Sequence, residues 1–216
     1  MKIAPSLLAA DFLHLQEEVE KVNASGDILH LDIMDGTLVP NISFGFSVLD
    51  QLAPAVKVPM DVHLMVVNPH KWFKKVADDG AYMCSFHLEA AGRRCKEFID
   101  IIHSYGMKAG IAIDPDVPVK KLFPYIGKAD FFLIMSVFAG FGGQKFIPES
   151  LQRIRTLKDE LTRRMDQALI EVDGGVGMSN ISELAIAGTD IVVAGSSGFR
   201  AQDPGAAIEG LRTCRK

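Results

Sequence analysis

Two imidazoles and two carboxylates stand at strand-like spacing in this chain, and they are the residues best equipped for chemistry. The stretch 28–35 reads Ile-Leu-His-Leu-Asp-Ile-Met-Asp, so His30, Asp32 and Met34 alternate with Leu29, Leu31 and Ile33. Successive side chains of a β-strand point to opposite faces, which sets a purely apolar face behind one that carries an imidazole and a carboxylate. Residues 58–66 repeat the arrangement, with Asp61, His63 and Met65 alternating with Val62, Leu64 and Val66. Further along, His87 is followed by Glu89, and Glu171 by Asp173. Gathered at strand ends, His30, Asp32, His63 and Asp173 make a sensible ligand set for a divalent transition ion, with room for a substrate oxygen. Taken singly, each histidine is equally compatible with a core residue satisfied by a carboxylate across the sheet, since a buried charge demands one partner or the other.

Three glycine-rich stretches follow later segments: Gly140-Phe141-Gly142-Gly143-Gln144, then Asp173-Gly174-Gly175-Val176-Gly177, then Gly195-Ser196-Ser197-Gly198. Glycine lets backbone N–H groups approach a ligand closely, so three such loops on one rim fit a phosphate cradle; any one alone fits a tight turn as well. Met34, Met65 and Met135 read, by spacing, as ordinary interior filling.

These groups need a scaffold, and the pattern supplies one. Eight short apolar segments, 2–8, 28–35, 58–66, 83–89, 108–114, 131–137, 169–174 and 191–196, are each followed by helical spacing or helix-start residues. Asp11 is the expected N-cap of a helix ending at Gly26, and Asn68-Pro69 opens one that runs to Gly80. Others are predicted over 46–52, 93–105, 117–126, 149–165, 178–187 and 204–212. Eight βα units of roughly 25 residues match a (β/α)8 barrel, with an open doubly wound sheet as the competing arrangement. No linker or composition break divides the chain. The expected fold class is therefore α/β, one (β/α)8 TIM barrel domain over residues 1–216, with the polar residues gathered at the C-terminal rim.

Composition narrows the partners. With 48% hydrophobic and 23% charged residues and a net charge of -4, the 216-residue chain has material for a large core and no reason to bind nucleic acid or an anionic membrane. No apolar run approaches the roughly eighteen residues of a membrane span. The opening MKIAPSLLAADF is broken by Pro5 and Ser6, unlike a signal peptide. Cys84, Cys95 and Cys214 form no CxxC pair, and a reduced, cytoplasmic chain is expected. Phe12 and Leu13 are apolar residues expected at the surface, where they would support a homo-oligomer.

The segments IAPSLLAADF, HLDIMDGTLVPN, DVHLMV with its NP, GFGGQKFIPE, and IEVDGGV with AGS after it are spread over almost the whole chain. In this order they resemble the ribulose-phosphate 3-epimerase family of ketose-phosphate 3-epimerases. The resemblance implies an isomerase (EC 5.1.3.-, foremost 5.1.3.1) of the pentose phosphate pathway, acting on a small sugar phosphate. It implies that His30, Asp32, His63 and Asp173 hold one divalent ion (Zn, Fe, Mn or Co), and that Asp32 and Asp173 are the acid/base pair. It assigns substrate contacts to Ser6, His63, Met34, Met65 and Met135. The phosphate loops would contribute Gly140, Phe141, Gly142, Gly143, Gly174, Gly175, Gly195 and Ser196.

The chemistry of these residue types agrees. Epimerisation beside a carbonyl removes a proton and returns one from the opposite face, which two carboxylates flanking the carbon can do. Methionine walls are apolar and donate no proton. The chain also departs from the family pattern. Phe138-Ala139 stands where Asn-Pro or Asp-Pro is usual, Thr37-Leu38 where His-Phe is common, and Gly195-Ser196-Ser197-Gly198-Phe199 is closer to the hexulose-phosphate enzymes. The leading expectation is interconversion of D-ribulose 5-phosphate and D-xylulose 5-phosphate. Alternatives are a D-allulose 6-phosphate 3-epimerase and a non-catalytic phosphate-binding barrel; retention of both Asp32 and Asp173 argues against the last.

Overall fold

The outward faces of the predicted strands are almost wholly apolar, and covering them dictates the architecture. In the computed structural model, which describes residues 1–201 and 203–214, eight strands form: β1 (Lys2–Pro5), β2 (Leu29–Met34), β3 (Met60–Met65), β4 (Met83–His87), β5 (Lys108–Ile113), β6 (Phe131–Met135), β7 (Leu169–Asp173) and β8 (Ile191–Ala194). Gln202, Arg215 and Lys216, within the expected span 1–216, lie outside the described residues. All pairings are parallel and the order is β1-β8-β7-β6-β5-β4-β3-β2. The two ends of that sheet meet through a parallel bridge between Ser6 and His30 and a 3.0 Å bond from the Asp27 N–H to the Ile3 carbonyl. A parallel sheet curled until its ends touch, with helices after its strands, is a (β/α)8 barrel.

The surrounding helices are α1 (Leu15–Ser25), α2 (Phe46–Leu52), α3 (Phe73–Asp78), α4 (Leu88–Ala91), α5 (Cys95–Ser104), α6 (Ser150–Arg163), α7 (Ile181–Ala187), α8 (Ser196–Phe199) and α9 (Pro204–Thr213). Their apolar stripes, such as Val19 and Val22 of α1 or Ile154, Leu157 and Leu161 of α6, pack on Leu31, Val62, Phe86, Ile111 and Val172 of the strands in one continuous core. Each such side chain contributes about 1.5–3 kcal/mol of burial.

Several local expectations shift. The segment 117–126 is a 3-10 helix, Val119–Tyr125, because Pro124 lacks the N–H that an α-ladder requires. The helix expected over 93–105 splits into a 3-10 turn, Gly92–Arg94, and α5. Asp11 caps a turn instead of the helix: its Oδ1 accepts from the Leu13 N–H at 3.0 Å, and α1 begins at Leu15 with His14 as N-cap. Glu89 lies on α4, past the end of β4. Phe12 and Leu13 stay exposed, the Phe12 ring edge-on to Phe44 at 5.8 Å.

The barrel interior is layered. At its N-terminal end Ile28, Met83, Phe131 and Ile191 form an apolar plug. Gly110 is required there, since a Cβ at that position would come within 2.2 Å of the Phe131 ring. Above the plug the interior turns polar, with His30, Asp61, Ser85 and Glu171 all fully buried. Among the described residues no helix is long and apolar enough to cross a membrane.

Candidate active site

Strand register sets the site. β2 and β3 pair His30 with Asp61, Asp32 with His63 and Met34 with Met65, while β6 and β7 pair Met135 with Asp173. The alternation seen in the sequence thus places these side chains inside the barrel, toward its C-terminal end. One ligand atom from each of His30, Asp32, His63 and Asp173 lies within 4.8 Å of the others.

Asp32 is the hub. Its Oδ1 stands 3.3 Å from His30 Nε2 and 3.3 Å from His63 Nδ1, and its Oδ2 accepts a 2.6 Å hydrogen bond from the Ser6 hydroxyl. Ser6 is held in turn at the start of the 3-10 helix Leu7–Ala9, where its oxygen accepts from the Leu8 N–H. Behind the hub, His30 Nδ1 meets Asp61 Oδ2 at 2.7 Å and His63 Nε2 meets His87 Nε2 at 2.9 Å. The alternation places Asp61 and His87 in the interior and pairs His87 with Glu89, as supporting partners of the site or as a structural pair; it gives Asp61 no partner.

The donor set fits a divalent ion. His30 Nε2 is buried and makes no hydrogen bond, although Asp32 is close, so the ring presents an unengaged lone pair or proton to the space between the four groups. Two nitrogens and two carboxylates at this spacing match the preferences of several first-row divalent metals. A second set, His87, Glu89 and Asp114, also converges, with Glu89 and Asp114 at the solvent edge.

The two carboxylates are electrostatically unlike. Burial pushes Asp32 upward, but the imidazoles of His30 and His63 outweigh it and hold the carboxyl well below the usual range. Burial also pushes Asp173 up, and the negative charge of Asp32 adds to it, so Asp173 reaches about 7. Burial works against protonation of His30, yet Asp32 and Asp61 overcome it and raise the imidazole well above its ordinary value. Burial dominates at His63, lowering it to about 4.

Above these residues opens a cleft. Ser6, Asp32, Met34, Met65, Met135 and Asp173 line it from the barrel. Gly140, Phe141, Gly142, Gly143, Gly174, Gly175, Gly195 and Ser196 line it from the loops after β6, β7 and β8. His30 and His63 are fully buried and do not line it themselves, while Asp32, which contacts both, does. The glycines differ in what demands them. Gly175, at φ +62°, would drive a Cβ to 2.4 Å from the Phe146 nitrogen, and Gly174 one to 2.5 Å from the Val137 side chain, so both are fixed by backbone packing. A Cβ on Gly142 would meet nothing. Phe138 and Ala139, the departures from the family pattern, also line the cleft, and Phe138 is half exposed there. Leu8, Gln144 and Val176 also stand in the wall without a periodic signal to mark them, Leu8 on the short 3-10 helix after β1 and the other two on loops.

Residues 2–199 match the model of the Ribulose-phosphate 3 epimerase family. The chain is 44% identical over 210 residues to a ribulose-phosphate 3-epimerase of Mycobacterium leprae (strain TN), covering 97% of this chain and 93% of that protein. It is 41% identical over 215 residues to the cytoplasmic isoform of ribulose-phosphate 3-epimerase from Oryza sativa subsp. japonica, covering 98% and 92%. Among solved structures, a 3-hexulose-6-phosphate synthase superposes with a TM-score of 0.72 at 18% identity, each chain covered fully, a likeness of fold. With a family match along almost its whole length and relatives above 40% identity, the chain belongs to the ribulose-phosphate 3-epimerase family.

Proposed function

We propose that this chain interconverts D-ribulose 5-phosphate and D-xylulose 5-phosphate by proton exchange at C3, with Asp32 and Asp173 as the two proton-transfer groups. The observation that carries the reading is geometric: Asp32 on β2 and Asp173 on β7 face one cleft with ligand atoms within 4.8 Å of each other, and in the metal-free chain their surroundings set them apart, Asp32 held low and Asp173 raised to about 7. Two titratable groups whose surroundings push them apart supply a base and an acid together. Sugar specificity is supported by the relatives named for ribulose phosphate at 41–44% identity.

The residues divide the work as follows. Asp32 Oδ1 faces the imidazoles, which leaves Oδ2, oriented by the Ser6 hydroxyl, to take the C3 proton. Asp173 returns a proton from the opposite face, and the roles exchange in the reverse direction. Met34, Met65 and Met135 exclude water without offering a proton to the carbanion-like carbon. The loops bearing Gly142, Gly143, Gly175, Gly195 and Ser196 seat the phosphate through backbone N–H groups. His30, Asp32, His63 and Asp173 would hold a divalent ion, which when bound supplies Lewis-acid stabilisation of the negative charge that develops on the substrate oxygens.

Steady-state kinetics on D-ribulose 5-phosphate and D-allulose 6-phosphate, before and after exhaustive chelation, test this reading. The expected result is a clear kcat/KM advantage for the pentulose and loss of turnover on chelation, restored by a divalent transition metal. A preference for the hexulose would overturn the substrate assignment, and full activity after chelation would overturn the ion's role.

A further inference from the structure

The two imidazoles beside Asp32 are backed differently. His30 Nδ1 is 2.7 Å from the Asp61 carboxylate, a charged acceptor. His63 turns its second nitrogen to another imidazole: His63 Nε2 and His87 Nε2 are 2.9 Å apart, with ring centroids 5.0 Å apart and ring planes within 17°, so the two rings meet nitrogen to nitrogen and nearly in one plane. Nitrogens at that separation share one proton, one ring donating and the other accepting. Which ring donates follows from the site. His63 Nδ1 is on the ligand side, 3.3 Å from Asp32 Oδ1, and a ring nitrogen that binds a cation carries no proton. The His63 proton then sits on Nε2 and is donated to His87 Nε2. His87 must in turn be the Nδ1–H tautomer, with that nitrogen 3.9 Å from Glu89 Oε1 at the edge of the barrel.

We infer that His87 is a positioning residue that fixes the tautomer and ring orientation of His63 for divalent-ion binding, with the Glu89 carboxylate the charged group nearest its outer nitrogen. The inference rests on the reading of His30, Asp32, His63 and Asp173 as the ligand set. It assigns His87 no contact with substrate.

Zinc affinity, measured by competition with a chromophoric chelator, tests it in the wild type, His87→Leu and His87→Gln, alongside the ¹⁵N NMR tautomer pattern of zinc-loaded wild type. Removing an outer partner of a ligating histidine weakens metal binding by about 10–100-fold, so His87→Leu should lose zinc affinity on that scale. His87→Gln, whose amide oxygen can still accept from His63 Nε2–H, should recover most of it. The spectra should show His63 protonated at Nε2 and His87 at Nδ1. Unchanged zinc affinity in His87→Leu, or a His63 proton on Nδ1, overturns the positioning role while leaving the ligand set standing. Wild-type protein that takes up no zinc overturns the ligand set and the positioning role with it. If His87→Leu does not fold, the wild-type tautomers decide alone.

Discussion

Asp173→Asn should make the metal-free protein more stable and the enzyme inactive. The carboxyl of Asp173 rises from 3.8 to about 7 through burial and the adjacent charge of Asp32. A rise of that size corresponds to roughly 4 kcal/mol against the ionised form; because the side chain faces an open cleft, solvent reduces the expected gain on removing the charge to about 1–2 kcal/mol. The sign follows from linkage. With its folded value above its unfolded one, Asp173 contributes stability at low pH, and that contribution is lost as pH rises from 3.8 to about 7. Asparagine does not titrate, so its advantage should be negligible near pH 3, grow as pH rises above 3.8, and be full by pH 8. Thermal melts of chelated protein should show the variant a few degrees above the wild type at pH 8, at about 2–4 °C per kcal/mol for a chain of this size. Turnover should fall by about 10²–10⁴-fold, the usual worth of a proton-transfer group. A chelated variant less stable than the wild type at pH 8, or a gain independent of pH between 3 and 8, would refute the electrostatic argument; substantial activity would refute the assignment of Asp173.

Zinc uptake near pH 6 should release protons, because His30 is raised well above its ordinary value and Asp173 lies at about 7, and both must lose a proton to ligate. Calorimetry in buffers of different ionisation enthalpy reads the number released, affinity should climb from pH 6 to pH 8, and heats that do not vary with buffer would contradict it. The glycines separate fold from phosphate seat: Gly142→Val should melt within about 0.5 kcal/mol of the wild type yet raise KM for the sugar phosphate, whereas Gly175→Ala, aimed at the Phe146 backbone, should destabilise by more than about 1 kcal/mol. An unchanged KM in Gly142→Val would remove that loop from the phosphate site. Gly110→Ala, pressed into the buried Phe131 ring, should lower stability by about 1–3 kcal/mol in urea unfolding while leaving kcat near the wild-type value, since the plug lies at the far end of the barrel from the cleft.

The alternation in residues 29–34 and 60–65 was sufficient to place His30, Asp32, His63 and Asp61 inside the barrel, because a strand covered on both sides allows only two orientations. Less local features were not legible. Register pairs His63 with Ser85, so the contact between His63 and His87 is diagonal, created by the stagger that strands adopt when a sheet closes. No spacing rule within either strand encodes it. The first segment was expected to run to residue 8 but stops at Pro5, because the Ser6 hydroxyl caps a 3-10 turn and simultaneously reaches Asp32. Arg153 had no signal at all. Its guanidinium, on α6, donates to the Met135 and Asp114 carbonyls and so ties the ends of β6 and β5 together beneath the cleft.

What distinguishes Asp32 from Asp173 is which strands neighbour them, since the two share residue type and face the same cleft. Asp32 stands on the flank where β2, β3 and β4 supply His30, His63 and His87, and two of those rings touch its oxygen. Asp173 stands between β6 and β8, whose inward residues Leu133, Met135 and Val193 bring no cation, and only His30 across the barrel and the Gly174 N–H partly offset its burial. One flank stabilises an anion and the other disfavours it. On the proposed reading, exchange of a proton between opposite faces of one carbon needs an acceptor and a donor together, and in the metal-free chain the histidines beside Asp32 already make the two carboxylates unequal, an inequality that a divalent ion ligated by both would have to reset.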